Sequence, residues 1–288
     1  MESTVAPQAN PLSMFMRQPK IYISLPSKGE YWAPGSLIIS ETRQYPVFSM
    51  TARDELLLKV PDALMNGQAV VDVIQNCIPN IKNAWAVPNI DLDIILIAIR
   101  LATYGENMET PLKFGDLTLD YTVDLRRVMD SLMQQIAWDP VVPISDEMTV
   151  FVKPLTYKDI TKVALQTFET QKIMQVVNND KMSDEDKLKI FQESFKKLSD
   201  STVATVADSI SKIDTVNGST DNPEYINQFL SNIDKEVFKK IQTHLETLRD
   251  RNNVKPMRID VTDEMREQGI TGDTVEVPLT FDASTFFV

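Results

Sequence analysis

The chain holds one histidine and one cysteine, so the side chains best suited to proton transfer or nucleophilic attack are almost missing. His244 lies one residue before Leu245, a member of an apolar stripe with helical spacing. A catalytic imidazole needs an orienting carboxylate and a nucleophile within reach. Glu246 and Thr247 follow it in sequence but fall on other faces of a helix. Cys77 belongs to an apolar helical pattern, Val70-Val71-Val73-Ile74-Cys77-Ile78, and reads as a small core residue. A solitary cysteine excludes an intramolecular disulfide and a cysteine-rich zinc site. Among the carboxylates, Asp91 and Asp93 point to different helix faces. Asp184, Glu185 and Asp186 follow Ser183 and suit the positive end of a helix that Ser183 caps. Eight glycines are too few and too scattered for a phosphate-cradling loop. No catalytic residue, metal ligand or cofactor is expected. Carboxylates distant in sequence can still meet in space, so an unrecognised hydrolase stays open as an alternative of another class.

Charge and hydropathy narrow the partners. The net charge is −12, from 41 acidic and 29 basic residues, and such a field repels phosphate backbones. The densest basic group, Lys235, Lys239, Lys240, Arg249 and Arg251, is interleaved with Asp234, Glu236, Glu246 and Asp250, the pattern of a solvated helix face. Nucleic acid is therefore not an expected partner. The longest apolar run, Ile94 to Ile99, is far too short for a membrane span. Glu2 and the lack of a basic-then-apolar opening give no reason to expect a signal peptide.

The elements that would position these residues can be read from periodicity and punctuation. Residues 1–19 hold Pro7, Pro11 and Pro19 among small polar residues and read as a flexible arm. Its apolar triplet Met14, Phe15 and Met16 is a candidate for docking on a neighbour. Ile21-Tyr22-Ile23-Ser24-Leu25 alternates like a strand and stops at Pro26-Ser27-Lys28-Gly29. A second strand signal over 45–50 runs into Thr51, a good N-cap with Asp54 completing a capping box. Helices are expected over 52–60, over 68–78 and from about Asp91 to Gly105. A hairpin over 110–113 and 117–121 follows, then a helix over 123–136. The proline-studded link Asp139-Pro140-Val141-Val142-Pro143 precedes a strand at 148–153.

Beyond Leu155 helical spacing dominates. It runs through Ile160, Val163, Phe168, Met174 and Val177, then Leu188, Phe191, Phe195 and Leu198, then Val206, Ile210 and Ile213. After a loop at 217–220, Pro223 suits a first helical turn, and Val237, Phe238, Ile241, Leu245 and Leu248 mark a last long helix. Antiparallel packing is the natural way to bury such stripes. The ending returns to β signals at 257–261 and 275–281. Phe281, Phe286 and Phe287 form an aromatic end that either closes the chain's own sheet or docks on a partner. The fold class is α+β and helix-rich. A flexible arm (1–19) precedes an α-rich N-terminal domain with short strands (20–138), and a mainly helical C-terminal domain with terminal strands (144–288) follows.

Several of these segments together resemble a known family. Ile23-Ser24-Leu25-Pro26-Ser27-Lys28-Gly29, then Tyr31, then Val47-Phe48-Ser49-Met50-Thr51-Ala52-Arg53-Asp54-Glu55 is similar to the opening of T4-type phage baseplate hub and hub-assembly proteins. The likeness continues through Asn66-Gly67 and the helix to Cys77-Ile78. It is most specific in the aspartate-led apolar block from Leu92-Asp93 through Ile99-Arg100 to Tyr104-Gly105. The resemblance implies a non-enzymatic structural component of the central baseplate hub of a contractile tail, located in the virion and assembled in the host cytoplasm. Its partners would be other baseplate and tail-hub proteins. A non-virion hub assembly chaperone of the same family is the alternative it leaves open.

Overall fold

The computed structural model describes residues 12, 15–61, 63, 66–114, 117–134, 137–177, 183–267, 269–277 and 286–287. Within them the chain is a helix-rich α+β protein. Met14 and Phe281, two of the expected docking residues, lie outside the described residues.

Strand β1 (Pro19–Ile23) pairs antiparallel with β2 (Tyr45–Phe48), Ile21 opposite Val47 and Ile23 opposite Tyr45. Helix α1 (Ala52–Leu58) opens with the expected capping box: the Asp54 amide donates to Thr51 Oγ1 (3.3 Å) and the Thr51 amide to the Asp54 carboxylate (2.7 Å). Helix α2 (Gln68–Cys77) begins at Gly67, whose φ of 79° is the left-handed region that favours glycine. A Cβ there would come within 3.1 Å of Thr161 and of the Tyr157 hydroxyl. Helix α3 (Asn89–Tyr104) is apolar on every side, with Ile90 and the whole run Ile94–Ala102 buried. A helix of that composition belongs in the middle of a core.

The hairpin β3 (Asn107–Phe114) and β4 (Leu117–Asp124) is longer than the sequence signals indicate. Helix α4 (Leu125–Met133) starts later than expected because Asp124 caps it, accepting from the Arg126 and Arg127 amides. The link at 139–143 is not merely a linker. Strand β5 (Val141–Ser145) pairs with β6 (Met148–Val152), and these open a four-stranded antiparallel sheet.

Two long helices, α5 (Tyr157–Val177) and α6 (Asp184–Asp208), come next. Ser209 ends α6, and Ile210 and Ile213 then belong to strand β7 (Ile210–Thr215), which pairs with β6 and with β8 (Gly218–Thr220). The expectation that they continue the helical stripe is corrected, and the cause is the pairing with β6. Register slips between Phe151 and Val152, so residues three apart on β7 both face inward. Helices α7 (Pro223–Asn232) and α8 (Lys235–Asn252) cover this sheet. Strands β9 (Met257–Asp260) and β10 (Thr274–Val277), with the short α9 (Asp263–Glu267) between them, form a separate small hairpin.

Two principal apolar clusters result. One gathers β1, β2 and α1 to α4; the other gathers β5 to β7, the base of α6, α7 and α8. The chain passes to the second cluster near Trp138, touches the first again at Tyr157, and returns to it near Val254 and at Phe286 and Phe287. Phe286 and Phe287, 2% and 4% exposed, are buried in the first cluster, their rings edge to face at 5.1 Å. The expectation that these two rings dock on a partner is corrected: α3 and its surroundings already bury them. The proposed arm is also shorter than 1–19. Arg17 donates to Ser49 O (2.5 Å) and to Asn76 O and Oδ1 (2.7 and 2.8 Å), which fastens the residues just ahead of β1.

Because the two rings are core, Phe286→Ala or Phe287→Ala should each cost about 3–5 kcal/mol of stability in the isolated protein. Denaturant unfolding measures this, and an unchanged midpoint would remove them from the core.

Candidate functional site

Three polar joints hold the first cluster together, and each uses residues from the motifs singled out in sequence. Asp91, fully buried in the first turn of α3, accepts from the Ser27 amide (2.8 Å), Ser27 Oγ (2.5 Å) and Trp32 Nε1 (2.8 Å). That ties the Pro26–Gly29 turn to the apolar helix. Burial lifts the carboxyl to about 6, although the three donors favour the anion. In the second joint, Asp54 accepts from Asn76 Nδ2 (2.7 and 2.8 Å), with the Arg17 guanidinium 4.0 Å away and lying over the Phe48 ring. In the third, the buried Arg100 packs its guanidinium over the rings of Tyr104 (5.3 Å) and Phe286 (5.2 Å). It lies along the buried helix face. Tyr104 Oη lies within hydrogen-bond distance of Phe287 O (3.1 Å) and Glu55 Oε1 (3.2 Å), and its single proton serves one at a time.

Cys77 and His244 lie outside these joints. Burial pushes the Cys77 thiol up to about 12, so it is a poor nucleophile. His244 Nε2 meets the Asp139 carbonyl oxygen at 3.1 Å, linking α8 to the segment ahead of β5. Its cleft of about 700 Å³ is lined by Val142, Pro143, Glu236, Lys240, Thr243 and Thr247. Among the described residues, no three His, Cys, Asp or Glu side chains are grouped to hold a metal, and no helix is long and apolar enough to cross a membrane.

What the fold leaves open is a surface. Helices α5 and α6 form an antiparallel pair whose contact runs along Ser194 and Ser201 of α6, with Ser201 Oγ donating to Gln166 Oε1 at 2.7 Å. Leu188, Phe191, Phe195 and Leu198 lie about a quarter turn away from that line. They stay 58%, 47%, 67% and 41% exposed, so the expectation that antiparallel packing buries this stripe is corrected. Small serines let the two helices approach, and the large side chains are left outside. At the base of α6, Val203, Val206 and Ala207 pack into the second cluster, where α7 lies alongside the helix. Further along, the stripe is bare. Phe15 and Met16 of the N-terminal triplet are likewise exposed. The stripe's spacing is visible in sequence, but its exposure is not. The missing signal was the serine line on its neighbouring face.

A family model described as T4 bacteriophage base plate protein matches residues 16–255. The matched span takes in Arg17, the Asp91 joint, the α5–α6 pair and α8, and stops before β9. No curated protein and no solved structure matches the chain.

The Asp91 joint makes a signed prediction. An unfolded aspartate titrates near 3.8 and Asp91 in the fold near 6, so between those values the folded state binds the extra proton. Stability therefore falls as pH rises through that window and returns on acidification. Compared with Asp91→Asn, which cannot titrate, the native protein should gain up to about 3 kcal/mol of relative stability as pH drops from about 7 to about 4. Urea midpoints of the two proteins across this range give the difference, and parallel curves would return Asp91 to the ordinary carboxylate range.

Proposed function

Because the chain belongs to the T4 bacteriophage base plate protein family, we propose that it is a structural subunit of the central hub of a contractile tail's baseplate, acting through protein–protein contacts and not through catalysis. The observation that carries this reading is the bare apolar stripe on the α5–α6 pair, displayed on a frame with well-filled cores. Four adjacent large apolar side chains left in water are costly unless an assembled state covers them. A −12 chain repels copies of itself at random orientations, so association would be confined to such a patch. The side chains with reactive chemistry hold elements together, which fits a component whose work is to be positioned. In this reading the protein is made in the host cytoplasm, docks on other hub and tail proteins, and stays in the virion.

Mass spectrometry of purified particles tests residence: peptides of this chain should appear in fixed stoichiometry with other baseplate proteins. Absence from finished particles, with tails failing to form when the gene is lost, would replace the subunit by an assembly factor. Phage carrying His244→Gln should yield infectious particles in unchanged number. A folded, abundant variant that abolishes infectivity would overturn the non-catalytic reading.

A further inference from the structure

The exposed stripe on α6 has an order of its own. Leu188, Phe191, Phe195 and Leu198 follow at intervals of three, four and three, the seam of a helix that packs against another helix with knobs entering holes. Leu188 and Phe195 share one helical phase with Val206, which is buried against the chain's own helices at the base. The seam therefore continues a face already built to take a helix, beyond the point where the chain supplies one.

The order of residue types selects the occupant. Leucine, phenylalanine, phenylalanine, leucine reads the same in both directions, with the same spacing. Turned end for end, a second copy sets Leu188 against Leu198 and Phe191 against Phe195, and each layer occurs twice about the axis. That is the self-complementarity an isologous interface demands. The open flank carries Glu185, Gln192 and Ser199. Antiparallel pairing sets Gln192 against its own copy and Glu185 against Ser199, so no like charges meet. Lys189, Lys196 and Lys197 lie on the faces turned away from the seam. Parallel pairing would instead stack the acidic first turns, Glu185 and Asp186 of each copy, and align the two helix dipoles pole to pole. Ser194 and Ser201 belong to the α5 contact and leave the seam free.

We propose that the α6 stripe is the interface of an antiparallel homodimer, two α5–α6 pairs closing into a four-helix bundle. This deepens the reading of that surface as an assembly interface and rests on it. The seam from Leu188 to Leu198 spans only about 15 Å, which puts the contact at the small end of stable interfaces and makes the dimer reversible.

Sedimentation of the full chain from about 1 to about 100 µM tests it. The mass should climb from 32.6 kDa to twice that value, and Phe195→Asp should hold it at the single-chain value with unchanged circular dichroism and melting. Oxidation of the double variant Leu188→Cys/Leu198→Cys should give a covalent dimer. Either single variant should not, since its two thiols would sit about 15 Å apart. Cys77 is buried and contributes no background. A chain that stays monomeric throughout, a Phe195→Asp variant that dimerises as before, or efficient cross-linking of Leu188→Cys alone would each overturn the proposal. If the monomer still enters particles, only the dimer falls. If Phe195→Asp is monomeric like the native chain yet fails to enter particles, the seam belongs to a different subunit's helix and the homodimer is wrong. A dimer that never appears in particles leaves the proposal standing and removes the hub-subunit reading.

Discussion

A helix with no polar face has to be covered from every side, and α3 imposes that demand on the first half of the chain. From Ile94 to Ala102 every side chain is buried, so no rotation of the helix can turn a stretch of it to water. The β1–β2 pair, α2, α4, the start of α5 and the two terminal phenylalanines each take a share of its surface. The polar joints follow from the same demand. A carboxylate at the start of such a helix must bring its donors with it, and Ser27 and Trp32 do so. Arg100 stays inside by lying between two aromatic rings.

Much of this core was legible because its signals are local. The Thr51–Asp54 capping box, the apolar block ending at Gly105 and the β3–β4 pairing each depend on residues close in sequence. The failures share the opposite property. Ile210 and Ile213 look helical until pairing with β6, about sixty residues earlier in the chain, draws them into a sheet in which a bulge at Ser211 lets both face inward. Asp139 to Pro143 reads as a proline-studded link, and only an antiparallel neighbour makes a strand of Val141–Ser145. Phe286 and Phe287 carry no mark of the distant cavity they fill beside Arg100. The α6 stripe is the most instructive case. Periodicity identifies an apolar face but cannot say whether the chain itself provides a cover, and here the cover runs out halfway along the helix.

The two ends of the α5–α6 pair thus live under different rules. At the base, Val206 and Ala207 share a core with Ile241, Leu245 and Leu248, and opening there would disrupt the sheet as well. From Lys158 to Ser201, Ser194 is the only described side chain of the pair that is fully buried. Local opening should therefore be far cheaper there than in the core around α3. A segment of that kind gains order from whatever covers it, and ordering on contact suits a part of the molecule whose surroundings change during assembly.

Gly67 sets where that segment points. Helix α5 leaves the first core at Tyr157, which stacks on Trp85 and, with Thr161, passes so close over Gly67 that a Cβ there would be only 3.1 Å away. From this fulcrum the helix runs about 30 Å to its far end, so it behaves as a lever arm. A methyl group inserted at the fulcrum and tilting the arm by only about 5° would swing the far end by about 2.5 Å. That is enough to take a leucine knob out of its hole without disturbing a single side chain of the seam.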